Sequence, residues 1–150
     1  MSKASEIALA KLCTENMHKK DYMALNAGMK PTSTKAGSAT VSMYIKKEML
    51  NSHGSCHGGM IFTLADTAFA HACNNRNEAN VAMDCNIDFL YPAFEGDELT
   101  AVAEEKHKGR NSSLYEVVVT NQEQRNIAFF RGRSYSIKKP VITNLEEENT

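Results

Sequence analysis

The chain carries no excess of charge: seventeen Lys and Arg stand against eighteen Asp and Glu, a formal net charge of −1. That balance removes any general electrostatic case for nucleic acid or an anionic membrane surface and leaves only a local basic patch. Long hydrophobic runs are also missing. Near the N-terminus, Ile7 to Ala10 is interrupted on either side by Glu6 and Lys11, so the sequence predicts neither a signal peptide nor a membrane span, and a cytoplasmic protein. Cysteines in C-x-x-C spacing are absent. Cys13, Cys56, Cys73 and Cys85 are unevenly placed, which argues against a zinc site or redox motif and reads as four reduced thiols. Repeats and low-complexity tracts are lacking too, and the one clear tail is Asn144 to Thr150, where Glu146, Glu147 and Glu148 are expected to fray.

What the chain does have is material for one core. It has 150 residues, 42% of them hydrophobic, which predicts a single domain over 1–150. Ile7, Leu9, Leu12, Cys13 and Met17 recur at helical spacing and predict an amphipathic helix over about 5–19. From Ala39 the period becomes two, with Ala39, Val41, Met43 and Ile45 on one face of a strand. Gly58 to Asn74 is apolar almost all round and predicts a helix surrounded by protein. Alternation returns in Val81–Met83–Cys85–Ile87–Phe89, Leu99–Ala101–Ala103, Tyr115–Val117–Val119 and Ile127–Phe129, four further strands. Polar turns at Pro92 to Asp97, Lys108 to Asn111 and Asn121 to Gln124 suit antiparallel neighbours. The order helix, strand, helix, four strands predicts an α+β fold with an antiparallel sheet curled around the apolar helix.

Asp66 is the anomaly in that helix, because nearly all its neighbours are apolar. Carboxylates are seldom buried unless paired or functional. The alternative is that Thr63, Asp66, Thr67 and His71 share one solvated edge. A poorly hydrated carboxylate has a raised pKa and suits a general base or nucleophile. At the start of the same helix stands Cys56-His57-Gly58-Gly59. The first turn of a helix presents amides without intrahelical partners at an electropositive end, and glycine at 58 and 59 lets a substrate approach them, as an oxyanion hole requires.

Asn51, His57-Gly58-Gly59, Leu64-Ala65-Asp66, Ala68-Phe69-Ala70, Ile87-Asp88-Phe89-Leu90-Tyr91-Pro92 and Phe130-Arg131-Gly132-Arg133-Ser134 form one ordered set. From about Gly28 to Ile137 the chain resembles the phenylacetate-degradation (PaaI-type) branch of the hotdog-fold acyl-CoA thioesterases. The resemblance implies a long helix wrapped by a curved antiparallel sheet, no metal or prosthetic group, and hydrolysis of an acyl-CoA at a subunit interface. It also implies that Asp66 is the catalytic carboxylate, Gly58 the oxyanion amide, and Asn51 and His57 the carbonyl contacts. Some relatives active on long-chain acyl-CoA place a serine near the position of Ala82, so this chain looks closer to the aryl-acetyl branch.

Lys106, Lys108, Arg110, Arg131 and Arg133 are candidates for the CoA phosphates, the arginines above all for their bidentate geometry; a solvated strand edge is the competing reading. A Cys56 nucleophile beside His57, a metal site from His53, Cys56 and His57, and a non-catalytic acyl-CoA or aromatic-acid binder are the functional alternatives. Gly58 and Asp66 lie eight residues apart, roughly 12 Å along a helix axis, so one carbonyl cannot meet both from a single chain. The expectation is a homodimer with shared sites, assembling further into a homotetramer.

Overall fold

The computed structural model describes residues 1–145; the acidic residues Glu146 to Glu148 of the predicted tail lie outside the described residues. Helix α1 spans Lys3–His18 and is capped by Ser2, whose hydroxyl accepts from the Ser5 amide at 3.1 Å. Helix α2 (Tyr22–Ala27) is capped by Asp21 and ends at Gly28, whose φ of 74° is a left-handed conformation that suits glycine. There follow β1 (Lys30–Lys35), β2 (Ser38–Tyr44), a short 3-10 turn (Lys47–Met49), α3 (Gly58–Asn74), β3 (Asn80–Phe89), β4 (Glu98–Lys108), β5 (Ser112–Thr120) and β6 (Asn126–Ser136). The strands form one antiparallel sheet in the order β1-β2-β4-β5-β6-β3, and α3 touches every strand of it. This is the α+β arrangement of a helix wrapped by a sheet.

The core lies between α3 and the inner face of the sheet. Leu64, Ala65, Ala68 and Phe69 of α3 meet Val41, Met43, Leu99, Ala101, Val117, Val119 and Phe130, all buried. Each large side chain so buried contributes about 1.5–3 kcal/mol. Phe69 stands edge-on to Tyr115 with ring centroids 5.5 Å apart. Its approach to β6 depends on Gly132, where a Cβ would come within 2.9 Å of the Phe69 ring.

Several local expectations are corrected. Helix α2 and strand β1 were not anticipated, since six residues are too few to show a helical period and β1 is a polar edge strand interrupted by an irregularity after Pro31. The buried face of α1 is Ala10, Cys13, Thr14 and Asn16, with Ile7 exposed, because α1 packs close to β1 through small and polar side chains; Thr14 Oγ1 donates to Thr34 Oγ1 at 3.2 Å. β3 and β4 are not neighbours. β3 pairs with β6 and β4 with β2, so residues 90–97 are a crossover, pinned where the Cys56 amide donates to the Ala93 carbonyl at 2.7 Å.

The alternation expected in β3 is broken by a bulge. Ala82 pairs with Ser134 and Asp84 with Arg133, leaving Met83 as the extra residue. Val81 therefore shares the outer face with Tyr135, whereas Cys85, Ile87 and Phe89 share the inner face with Gly132, Phe130 and Ala128. As an edge strand, β3 leaves Val81 48%, Met83 62% and Phe89 54% exposed.

Candidate active site

The loop that delivers the first turn of α3 is built by Asn51. Its Oδ1 accepts from the amides of His53 (2.9 Å) and Ser55 (3.2 Å), and its Nδ2 donates to Ser55 Oγ (3.1 Å). This closed turn is fixed below by the His57 amide donating to the Met49 carbonyl at 2.8 Å. Asn51 thus shapes the loop and retains one amide hydrogen for another acceptor.

His57 is the N-cap of α3, and its Nδ1 accepts from the Gly59 amide at 2.9 Å. An accepting Nδ1 carries no proton, so the neutral ring holds its hydrogen on Nε2 and is a donor there. The amides of Met60 and Ile61 turn back to the His57 carbonyl at 2.9 and 3.3 Å. Among the described residues, the Gly58 amide alone of this first turn donates to none. It opens on a cleft of about 320 Å³ lined by Ser55, Cys56, Ile61, Phe89, Leu90 and Tyr91. The Phe89 ring lies so near that a Cβ at 58 would sit 3.1 Å from Cζ, and Arg125 rests 4.0 Å above the Tyr91 ring.

Asp66 lies two turns further along α3, half-buried, and accepts no hydrogen bond from any described residue. Burial holds its carboxyl above the ordinary range, and the nearby Asp21 carboxylate pushes in the same direction. The expectation of a helix buried all round is corrected, since Gly59, Thr63, Asp66 and Ala70 form one edge that is only partly covered. The alternative of a solvated edge shared by Thr63, Asp66, Thr67 and His71 differs as well, because Thr67 and His71 are buried. Neither ring nitrogen of His71 has a partner among the described residues, and burial pushes its pKa down to about 4.

The competing chemistries find little support. Cys56 is buried, its thiol is pushed up to about 11 by burial, and the His57 ring is engaged with Gly59 instead of its sulfur. No group of three His, Cys, Asp or Glu among the described residues could hold a metal ion. Arg131 and Arg133 lie mid-strand in β6, between the inward-facing Phe130, Gly132 and Ser134. They project from the sheet face opposite α3, beside Glu116 and Asn86 and beside Asp84 and Leu114. Arg110 sits in the turn between β4 and β5. In one subunit these cations do not converge with Asp66. No helix among the described residues is long and apolar enough to cross a membrane.

The thioesterase superfamily model matches residues 53–128, from the Asn51 loop to the start of β6. The chain belongs to this family. The thioesterase is 47% identical over 119 residues to the acyl-coenzyme A thioesterase PaaI of Escherichia coli, covering 79% of this chain and 85% of that one. A solved structure of the E. coli PaaI protein from the phenylacetic acid degradation operon superposes with a TM-score of 0.89 at 43% identity, over 90% of this chain and 98% of that one. A Streptococcus mutans protein solved with acetyl CoA superposes at a TM-score of 0.72 and 27% identity, covering 75% and 90%. The hotdog fold and a thioester-hydrolase activity follow from these likenesses.

Sequence reasoning passed over Asp21, the cap of α2, and the contact of half-buried His18 with buried His71. An Asp and a Gly with six residues between them were the available signal for the first, since cap and C-terminal glycine bracket α2.

Proposed function

We propose that this thioesterase hydrolyses an aryl-acetyl or related acyl-CoA to the free acid and CoA, in the cytoplasm, at sites shared between two copies of the chain. The observation that carries the reading is a juxtaposition on α3: among the described residues, the Gly58 amide has no acceptor and the Asp66 carboxylate no donor. The thioester carbonyl oxygen accepts from the Gly58 amide, where the helix dipole favours the charge that develops on attack. Asp66 removes a proton from the attacking water, or adds to the carbonyl itself to form an acyl anhydride that water then hydrolyses to the free acid. Collapse of the tetrahedral intermediate breaks the carbon–sulfur bond and releases the CoA thiolate. Asn51 and the Nε2 hydrogen of His57 are further donors on the carbonyl side, and Gly59 leaves room for the substrate.

Eight residues of helix separate the two groups by roughly 12 Å, whereas both must act within about 3 Å of one carbonyl. The partly covered edge of α3 and the exposed apolar side chains of β3 suit a second copy packed antiparallel, bringing its Asp66 to the first copy's Gly58. Two such dimers would form a homotetramer. For the CoA phosphates the proposal uses Arg110, Arg131 and Arg133 toward a nucleotide held by another subunit, because the last two face away from their own α3.

The test is thiol release from a panel of aryl-acetyl, benzoyl and straight-chain acyl-CoA compounds, measured beside direct binding. The highest kcat/KM is expected with aryl-acetyl-CoA. Binding without release across the whole panel would replace the enzyme with a carrier of acyl-CoA.

A further inference from the structure

The cleft beside Gly58 has apolar walls: Ile61 from α3, Phe89 from the end of β3, and Leu90, Tyr91 and Pro92 from the crossover that follows. Its other donors are already engaged. The Ser55 amide and hydroxyl bond to the Asn51 side chain, and the Cys56 amide donates to the Ala93 carbonyl at 2.7 Å. The Ile61 amide donates to the His57 carbonyl at 3.3 Å, and those of Leu90 and Tyr91 to the Ile127 carbonyl at 2.9 and 3.4 Å. The Gly58 amide is the exception, with no acceptor among the described residues.

A thioester carbonyl seated on that amide has the acyl group on one side and the pantetheine arm of CoA on the other. The arm carries amides, which need hydrogen-bond partners once they leave water. With the Gly58 amide taken by the carbonyl, the donors just named leave nothing for them. An acyl group needs none, and about 320 Å³ is ample for an aromatic ring and its linker.

Phe89 borders the cleft at its Gly58 end. A Cβ on residue 58 would lie 3.1 Å from Cζ and 3.4 and 3.5 Å from the two Cε atoms, so the tip of the ring points at the first turn of α3. The side chain is 54% exposed, and among the described residues no aromatic ring packs against it. Tyr91, the other aromatic wall, already carries the Arg125 guanidinium 4.0 Å over its ring.

We infer that this cleft takes the acyl group and that Phe89 is its specificity-determining residue, the ring packing edge-to-face or offset against an aryl group. The inference rests on the reading of Gly58 as the donor to the thioester carbonyl.

The test compares wild type with Phe89→Leu and Phe89→Met, which keep an apolar wall without the ring, and with Phe89→Tyr, which retains it. For each, kcat/KM of thiol release is measured with phenylacetyl-, cyclohexylacetyl- and octanoyl-CoA, together with inhibition by free CoA and a thermal melt. In the leucine and methionine variants the preference for phenylacetyl over cyclohexylacetyl should fall about five-fold, the worth of one aromatic pair. Phe89→Tyr should keep the wild-type preference, and free CoA should inhibit all four proteins alike. An unchanged preference in folded ring-less variants would overturn the inference. Equal losses on every substrate with weaker inhibition by CoA would overturn it too, by putting the CoA arm in the cleft. Either result leaves the hydrolysis standing, whereas wild type that released thiol from none of the three would overturn both readings together.

Discussion

The first turn of α3 and its middle turn are parts of one helix with opposite characters. At the first turn the backbone is electropositive, the Gly58 amide has no acceptor among the described residues, and two glycines precede Met60 and the buried Ile61. In the middle, packing is dense on most sides, and the one carboxylate of the helix, Asp66, is lifted above its ordinary range by burial. One end can receive a developing negative charge, and the other can take up a proton. On a straight helix the two halves of the proposed chemistry lie apart, and a second copy is what would bring them together.

The largest effect should come from disabling the middle turn. Asp66→Asn keeps the shape and removes the base, and kcat is expected to fall about 10²–10⁴-fold. CoA affinity and the melting temperature should stay near wild type. Steady-state kinetics of thiol release with a thermal melt provides the check, and undiminished turnover would remove the contrast between the two turns.

The next test separates the two copies. Met83 and Met43 are both strand methionines, but Met83 is the exposed bulge residue of the edge strand β3 and Met43 is fully buried in β2. Met43→Ala should cost the subunit about 2–5 kcal/mol. Met83→Lys should change subunit stability by less than about 0.5 kcal/mol. It should instead weaken association, with activity that falls on dilution. Denaturant melts and sedimentation distinguish these outcomes; full activity of a monomeric Met83→Lys protein would mean that one chain suffices.

The smallest effect is expected at Cys56, beside the first turn. Its thiol is held protonated by burial, with a pKa near about 11, and Cys56→Ser should retain most turnover. A folded but inactive Cys56→Ser would transfer the chemistry from the amide to the thiol.

What could be read from the sequence follows from how each feature makes its signal. Helix α3 and strand β2 were legible because their burial is regular: Val41, Met43 and Ile45 alternate, and Leu64, Ala65, Ala68 and Phe69 recur at helical spacing. The face assignment of β3 failed because a single bulge residue, Met83, reverses side-chain parity along the strand. The sheet order was illegible because the turn-forming residues of 90–97 serve a crossover as well as a hairpin. Asp66 and Gly58 stood out as a charge inside an apolar helix and a glycine at its start. Asp21 did not, since a capping Asp before a six-residue helix looks like a loop residue. The outward direction of Arg131 and Arg133 was available in principle from their alternation with Phe130, Gly132 and Ser134, which are buried.

The shared site is tested most directly by mixing two inactive proteins. Asp66→Asn lacks the carboxylate. Gly58→Pro lacks the amide, and it suits the first helical position because His57 at φ −58° and ψ 131° already has the conformation favoured before proline. The Phe89 ring, 3.1 Å from a Cβ at 58, must shift slightly to admit it. In a hybrid dimer one site collects both defects and the other is whole. Random equal mixing makes about half the dimers hybrid, each with one working site of two, so roughly a quarter of wild-type activity should return on co-refolding. Each variant refolded alone should stay inactive. Demonstrated hybrid dimers with no recovery of thiol release would contradict the account, since every site would then draw Gly58 and Asp66 from the same chain.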